Sequence, residues 1–417
     1  MKGECLVGDL RQLFYEGVMK TTFDFNKEYG IVLEGGGAKG AYQIGVWKAL
    51  KECGVKIKGI AGVSVGALNG VLICMDDVKL AEDIWTNISY SKVMNVDDEE
   101  MRSIMHHDLK NLKLTKVTKT SAKAVTSGGI DITPLKDLVT NYVDEQKVKD
   151  SDIELIMGTL SLSDRKAVEI EAKSLEEGEL KDYLIASASL PVFKQEKLQG
   201  KTFLDGGMVN NVPVDMLLKR GYENIIIIRI YGIGIEKKVK IPEGVTIHEI
   251  SPRVELGNIL EFDCKKAQRN LKIGYYDAMR LLKGLEGIIY YLSDSFSEEE
   301  HFLRFFKMNP TIKMAWLEYF KEDYKSEELY TRRFYETILP LIADKLGLAK
   351  NWSYSFLYMS MLELAAKVLK VMKYKIYTEE EFHSEIKKNY NRFQGEQIAK
   401  DVFQELIVKT MAIQDER

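Results

Sequence analysis

Two glycine-rich turns, each between an apolar strand and a helix, constrain the fold of this chain more than any other feature. The first turn follows the apolar run 31–33, and the second follows the run 56–62. Apolar residues at helical spacing predict a helix after each turn, over residues 38–52 and 65–75. Strand, tight turn and helix in repetition are typical of an α/β fold.

Further strand-like segments extend this pattern to about residue 230. They are rich in aliphatic residues and lie at 153–162, 166–172 and 224–230. Strands this apolar are typical of a sheet that helices cover on both faces. Past residue 254 the helical periodicity of Leu, Tyr and Met predicts an all-helical region. We expect three segments, namely an N-terminal segment over 1–27, an α/β domain over 28–253 and a helical region over 254–417.

Composition argues against several classes of protein. A net charge of −4 over 417 residues provides no basic surface for nucleic acid. The four cysteines form no CxxC pattern, which argues against a zinc site or a disulfide framework. Charged residues Glu4, Asp9 and Arg11 interrupt any signal-peptide core, and no apolar stretch is long enough for a transmembrane helix. We expect a cytoplasmic protein that needs no metal or other cofactor, with its oligomeric state open.

The first turn presents bare backbone amides. It consists of Gly35, Gly36, Gly37, Ala38, Lys39 and Gly40. As a Walker phosphate loop it fails, because the lysine precedes the last glycine and no Ser or Thr follows. It matches a dinucleotide loop formally, but residues 55–60 contain no acid for a ribose. Taken alone, the motif leaves two alternatives: a turn without a ligand, or amides that face a reacting oxygen.

The second turn, Gly62-Val63-Ser64-Val65-Gly66, matches the G-x-S-x-G nucleophile elbow. An apolar strand enters it and a helix of small residues leaves it, which is the context that the motif requires. The flanking glycines allow a bend that exposes the hydroxyl of Ser64. An N-cap of the following helix is the alternative role for this serine.

Acyl transfer at Ser64 would create an oxyanion, and backbone amides of the first turn are suited to stabilise it. We expect Gly36, Gly37 and Ala38 to donate these amides. Lys39 either adds a positive field there or is simply solvated. The two turns thus suggest one catalytic site.

A serine nucleophile requires a base. The order found in ordinary α/β-hydrolases, serine then acid then histidine, selects His248 at the end of a strand-like segment. The better candidate is Asp205, which ends an apolar strand and precedes Gly206 and Gly207. A turn stabilised by the aspartate side chain itself is the alternative for this residue.

In order and spacing, the GGGAKG loop, the GVSVG elbow and the later DGG turn resemble the patatin-like phospholipases. Segments 130–139 and 185–193 are also similar to that family, so the resemblance covers about residues 28–230. It implies a modified α/β-hydrolase-like fold of three layers and a Ser–Asp dyad without a catalytic histidine. It further implies that Ser64 is the nucleophile, that Asp205 is the base and that the glycine loop is the oxyanion hole.

The implied activity is hydrolysis of fatty acyl esters, from phospholipid or acylglycerol substrates. A catalytically silent acyl- or lipid-binding protein with the same fold is the alternative. An apolar stripe in the helical region, formed by Tyr275, Tyr276, Met279, Leu282 and Leu285, fits either packing against the α/β domain or a membrane interface. Packing is the favoured role, with transient membrane contact compatible with an insoluble substrate and a peripheral location.

Overall fold

The computed structural model describes residues 23–106, 128–195, 197–198, 200–294, 297–322, 327–393 and 399–413. The chain divides into two compact units, of which one is Asp24–Leu282 and the other contains the described residues from Lys283 onward. This division lies later than the boundary expected after residue 253, which stays a prediction. Most of the segment 1–27 and His107 lie outside the described residues.

The first unit is an α/β sheet with its helices. Its strands are β1 (Glu28–Leu33), β2 (Lys56–Val63), β3 (Glu154–Ser161), β4 (Lys166–Glu171), β5 (Lys197–Leu198), β6 (Lys201–Asp205), β7 (Asn224–Ile228) and β8 (Thr246–Ile250). Its α-helices are α1 (Ala41–Glu52), α2 (Val65–Cys74), α3 (Val78–Thr86), α4 (Tyr90–Val93), α5 (Asp98–His106), α6 (Thr133–Tyr142), α7 (Glu145–Asp150), α8 (Glu179–Ser187), α9 (Val214–Leu218) and α10 (Cys264–Lys283). Short 3₁₀ turns occur at Gly37–Gly40, Ala172–Ser174 and Gly206–Met208.

The eight strands form one mixed sheet in the order β5-β6-β3-β2-β1-β7-β8, with β4 also paired to β3. Strands β3, β2, β1, β7 and β8 run parallel, whereas β4 and β6 run antiparallel to β3. The central strands are almost wholly buried, and helices lie on both sides of the sheet. The predicted α/β fold is confirmed. Strands this apolar are stable when helices, and not water, contact both faces of the sheet.

Helix α10 belongs to this first unit because it packs closely on α1. A Cβ on Gly45 would lie 2.0 Å from the Leu271 carbonyl oxygen, and one on Gly274 would lie 2.0 Å from that of Tyr42. Glycines at both positions thus let the two helix backbones touch. Met279 is buried in the same helix, as expected for a core-facing stripe. Helix α10 therefore belongs to the sheet's own core.

The second unit is helical, as expected, apart from one pair of two-residue strands. Its elements are β9 (Tyr291–Leu292), α11 (Glu298–Lys307), α12 (Pro310–Phe320), α13 (Glu327–Arg333), a π-helical turn (Phe334–Ile338), α14 (Leu339–Lys345), α15 (Tyr354–Val368), β10 (Ile376–Tyr377), α16 (Glu379–Arg392) and α17 (Val402–Ile413). Its core contains Phe305, Trp316, Leu357 and Ile407 among others. In neither unit does any described helix combine the length and apolarity that crossing a bilayer demands.

Candidate active site

The Ser64 turn is a strained junction between β2 and α2. Ser64 has a φ of 54° and a ψ of −129°, which residues with a side chain rarely adopt. Glycines are required around it, since a Cβ on Gly62 would lie 2.6 Å from the Gly66 carbonyl oxygen, and one on Gly66 would lie 2.2 Å from that of Leu33. Although Ser64 occupies the N-cap position of α2, its side chain makes no capping hydrogen bond. Its hydroxyl therefore does not fill the alternative role.

A second serine holds this turn in place. The Ser64 amide donates to Ser187 Oγ across 2.9 Å, and Ser187 Oγ donates to the Gly158 carbonyl across 2.7 Å. Ser187 is the last residue of α8 and is fully buried. No motif of the sequence indicates this role for Ser187, although the residue lies within the segment 185–193 that is similar to the family.

Strand register brings Asp205 to Ser64. On β3, Gly158 pairs with Val63 at the end of β2, and the next residue, Thr159, pairs with Asp205 at the end of β6. Strand β6 thus continues along β3 from the point where β2 stops. Ser64 follows Val63 directly, so the two predicted catalytic residues meet where the ends of β2 and β6 lie side by side along β3.

The two carboxylate oxygens of Asp205 have different environments. Oδ1 accepts a hydrogen bond from the Gly207 amide at 2.8 Å, which closes the side-chain turn considered as an alternative. Oδ2 is buried without a hydrogen bond of ordinary geometry among the described residues. Burial raises the pKa of Asp205 to about 6, while the Ser64 hydroxyl and the Gly207 amide lower it in part. The turn and a proton-accepting role are therefore compatible, one on each oxygen.

Gly206 and Gly207 keep this turn narrow. A Cβ on Gly206 would lie 2.2 Å from the Gly158 carbonyl oxygen, and one on Gly207 would lie 2.6 Å from Asn211 Oδ1. Both glycines are buried. The Asp-Gly-Gly sequence is thus required by close packing against β3 and the Asn211 side chain.

The glycine loop lies directly against the Ser64 turn. A Cβ on Gly35 would lie 3.3 Å from Ser64 Cβ, and one on Gly40 would lie 2.4 Å from Val65 Cγ2. Gly37 has a φ of 54°, and a Cβ there would lie 2.1 Å from the Ile259 carbonyl oxygen. The loop can approach the serine this closely only because it lacks side chains.

Two amides of the glycine loop are available to stabilise an oxyanion, whereas three, those of Gly36, Gly37 and Ala38, were predicted. Within the part of the chain that the structure describes, the amides of Gly36 and Gly37 have no hydrogen-bond acceptor. The Ala38 amide, also expected to face an oxyanion, instead donates to the Ile259 carbonyl at 2.8 Å. This long-range contact corrects the prediction for Ala38, because the segment that supplies Ile259 is more than two hundred residues away in sequence.

Glu34, which precedes the glycine loop, is a buried residue whose carboxylate makes several hydrogen bonds. The sequence motifs did not indicate this role. Its carboxylate accepts hydrogen bonds from the amides of Ile230, Tyr231 and Gly232 at 2.7–3.1 Å. It also pairs with Arg229 Nε at 3.0 Å and accepts from the Asn211 side chain at 3.3 Å. Buried carboxylates require such compensation. No local sequence pattern indicates this role, since the partners are distant in sequence, at Asn211 and at residues 229–232.

The remaining predicted residues occupy supporting or remote positions. Lys39 Nζ donates to the Tyr231 carbonyl, and burial lowers the pKa of this lysine although Glu34 and Glu255 oppose the shift. His248 lies in the middle of β8 beside Ile226, and its ring packs 6.1 Å from the Tyr29 ring. Burial lowers the pKa of His248. The structure thus brings Asp205, and not His248, to Ser64.

An apolar cavity opens from Ser64. It is bounded by α2, α3, α6 and the segment after α8, and only a few polar groups interrupt its aliphatic and aromatic walls. The lining residues are Gly37, Ser64, Val65, Leu68, Asn69, Leu72, Ile84, Trp85, Ile88, Val93, Leu135, Leu138, Val139, Tyr142, Val143, Ala188, Leu190, Phe193 and Phe262. Such a wall suits a long hydrocarbon chain. Among the described residues, no three His, Cys, Asp or Glu side chains cluster in a way that could hold a metal ion.

Part of the chain is similar to proteins that are already known. The family described as "Patatin-like phospholipase" matches residues 31–218. Patatin-like phospholipase domain-containing protein 7 of Rattus norvegicus is 26% identical over 201 residues, which is 48% of this chain and 13% of that protein. Neuropathy target esterase sws of Drosophila melanogaster is 27% identical over 211 residues, which is 48% of this chain and 12% of that protein.

These two matches cover about half of this chain and only about one eighth of each relative. A solved structure, that of VipD from Legionella pneumophila, is 12% identical and aligns over 92% of this chain and 90% of its own, with a TM-score of 0.39. That score is too low to support an argument. The sequence matches, which contain both glycine turns, carry the assignment. Residues 31–218 therefore belong to the patatin-like phospholipase family.

Proposed function

We propose that this protein is a serine hydrolase of fatty acyl esters, with phospholipids or acylglycerols as the substrate class. The observation that carries the proposal is the meeting of Asp205 with Ser64, which lines an apolar cavity. The Asp205 pKa of about 6 suits a base that must accept a proton near neutral pH. The printed names of the relatives, phospholipase and esterase, support the same class.

In the proposed reaction, Ser64 Oγ attacks the acyl carbon while its proton passes to Asp205 Oδ2. The carbonyl π electrons move to oxygen, and the amides of Gly36 and Gly37 stabilise that charge. When the ester C–O bond breaks, Asp205 returns the proton to the departing alcohol and leaves an acylated Ser64. Water then attacks this acyl group while Asp205 accepts its proton. The bond from the acyl carbon to Ser64 Oγ breaks, Asp205 returns the proton to Oγ, and the fatty acid departs.

Direct proton transfer to an aspartate needs a carboxylate that is more basic than usual. An exposed aspartate has a pKa of about 3.9 and is a weak acceptor. Burial of Asp205 supplies the added basicity, and its buried Oδ2, which the Gly207 amide leaves to Ser64, is the acceptor. Proton transfer concerted with attack means that no free alkoxide has to form.

The cavity supports a long acyl chain as the group that is transferred. Leu68, Leu72 and Leu138 form part of its wall, and Ser64 is one of its few polar lining residues. We therefore expect kcat/KM to rise from acetyl to palmitoyl esters of the same alcohol. A preference for the shortest esters would contradict the substrate class while leaving the serine chemistry intact.

A fluorophosphonate probe tests the nucleophile. Wild-type protein should be labelled on the peptide that contains Ser64, and Ser64→Ala should lose both labelling and ester hydrolysis. Ser189→Ala removes a nearby serine whose hydroxyl only donates to the Ile185 carbonyl, and it serves as the matched control. Labelling that persists in Ser64→Ala would show that another residue is the nucleophile.

A silent lipid-binding protein is the alternative function. It would bind fatty acids or esters in the same cavity, yet neither react with the probe nor release an alcohol. Both outcomes come from one assay of pure protein with labelled ester, because bound and hydrolysed ester can be separated.

A further inference from the structure

One surface loop turns its large apolar side chains toward solvent and its glycines inward. In this segment, residues 230–241, Tyr231, Ile233 and Ile235 are 48%, 77% and 55% exposed. A Cβ on Gly232 would lie 1.8 Å from the Gly35 carbonyl oxygen, and one on Gly234 would lie 2.7 Å from Asn211 Cβ. Close packing thus requires glycine on the inner side, whereas nothing in the fold requires isoleucine on the outer side. An ordinary solvent-facing position would carry polar side chains.

The backbone of the 230–241 loop is held firmly, so the exposure is a fixed feature. Glu34 accepts hydrogen bonds from three consecutive amides at its start. Farther along, Ile235 N donates to the Gly207 carbonyl at 2.8 Å, and the Asn211 amide donates to the Ile235 carbonyl at 2.6 Å. The loop is therefore tied both to the glycine loop and to the Asp205 turn.

Basic residues follow the apolar ones. Lys237, Lys238 and Lys240 are exposed, and none of them lies within 4 Å of a carboxylate in the described chain. Glu236 is already paired with Arg229 Nη2 at 2.9 Å. A cationic stretch thus lies next to three exposed apolar side chains in a protein whose net charge is −4. The local charge is opposite to that of the whole chain.

We propose that the 230–241 loop docks on an anionic lipid surface. Tyr231, Ile233 and Ile235 enter the boundary between headgroups and acyl chains, while the three lysines pair with lipid phosphates. The apolar groups of this short segment match the acyl-chain layer of such a surface, and its basic groups match the layer of phosphate headgroups. The inference rests on the proposed function, because docking here would bring the mouth of the Ser64 site to the membrane that contains its substrate.

The apolar stripe of α10 is the other candidate for membrane contact, and its environment favours the loop instead. Arg280 in α10 is largely buried and pairs with Asp277 at 2.7 Å. Met279 beside it is buried as well. Neither residue is presented to a lipid surface.

Vesicle co-sedimentation tests the proposal with two pairs of variants. Ile233→Ser/Ile235→Ser removes the apolar contacts, and Met372→Ser/Val402→Ser is its control, since those side chains are 66% and 58% exposed in the other unit. Lys237→Gln/Lys238→Gln/Lys240→Gln removes the charges. Its control is Lys56→Gln/Lys79→Gln/Lys272→Gln, which lowers the net charge equally at exposed lysines elsewhere on the first unit.

On vesicles of phosphatidylcholine with phosphatidylserine, we expect the isoleucine pair to weaken binding about tenfold. The lysine triple should weaken it roughly fivefold for each lysine removed and should abolish most of its salt dependence. Both controls should bind like wild type. All variants should hydrolyse a water-soluble short-chain ester at the wild-type rate, since none of the altered side chains lies in the proposed catalytic set.

Loop variants that sediment like wild type, or controls that lose as much binding as the loop variants, would overturn the proposal. Absence of vesicle binding by the wild type would also overturn it and would make a protein partner the occupant to seek. Failure of the proposed function has a different signature. In that case no ester is hydrolysed by the wild type, while vesicle binding still depends on the loop.

Discussion

Ser187 Oγ accepts a hydrogen bond from the backbone amide of Ser64 across 2.9 Å and donates one to the carbonyl oxygen of Gly158 across 2.7 Å. The strained turn that presents Ser64 is thereby tied to β3, the strand that also positions Asp205. One buried hydroxyl therefore links the proposed nucleophile to β3, the strand against which β6 places the proposed base.

Ser187→Ala should lower kcat and the free energy of unfolding together. The change leaves a buried amide and a buried carbonyl without partners, which costs about 1–3 kcal/mol. It should leave KM nearly unchanged, because Ser187 lies beneath the turn and not in the cavity wall. Thermal unfolding and steady-state kinetics measure both effects, with Ser189→Ala as control. Wild-type kcat in Ser187→Ala would show that the turn holds its shape without this bond.

The pH profile of kcat/KM should have an acidic limb near pH 6. Asp205 must be ionised to accept a proton, and burial raises its pKa to about 6. Activity should therefore rise with pH through that value and then level off. Imidazole titrates in the same range, so His248→Gln is the control and should keep the limb. A limb that disappears in His248→Gln would favour a histidine base.

Asp205→Asn should be inactive, yet its stability relative to wild type should improve as pH rises. Below about pH 4 the wild-type carboxyl is protonated in both folded and unfolded chains. Between its ordinary pKa of 3.8 and the folded value of about 6, only the unfolded chain ionises, so the wild type loses stability as pH rises. The loss amounts to on the order of 3 kcal/mol and is complete above pH 6. Denaturant unfolding of both proteins across this range measures it. A difference that does not vary with pH would mean that Asp205 is not perturbed.

Gly37→Ala should lower kcat about 100-fold, as for loss of an oxyanion donor, with a smaller effect on KM. The new methyl group would meet the Ile259 carbonyl oxygen, and the φ of 54° would be strained as well. Gly54→Ala is the matched control, because Gly54 has a φ of 73° with no atom within 4 Å of the added carbon. Equal losses of kcat in both variants would show that backbone strain, and not loss of an oxyanion donor, causes the effect.

Glu34→Gln should destabilise the first unit by about 3 kcal/mol, because it leaves the Arg229 guanidinium without its buried partner. It should also loosen the amides of Ile230, Tyr231 and Gly232, which hydrogen exchange can follow. Glu236→Gln removes the exposed partner of the same arginine and should cost less than about 1 kcal/mol. Similar losses in the two variants would contradict the role of Glu34 as the buried anchor.

Local features of this protein could be predicted from sequence because local geometry determines them. Runs of apolar residues indicated β1, β2, β3 and β7, and glycines marked both turns. The bend at Ser64 follows from the residues on either side of it. These interactions lie within a few positions along the chain, so the sequence pattern records them directly.

Tertiary structure decided what depends on residues far apart in sequence. His248 and Asp205 both follow strand-like segments, and only the pairing of β6 with the end of β3 places Asp205, and not His248, beside Ser64. The Ala38 amide donates a hydrogen bond to the Ile259 carbonyl, and Glu34 accepts hydrogen bonds from the amides at 230–232. No local sequence pattern indicates either contact. Strand register and the hydrogen bonds of buried polar groups depend on residues that are far apart in sequence. They are therefore decided only when folding brings these residues together in the core.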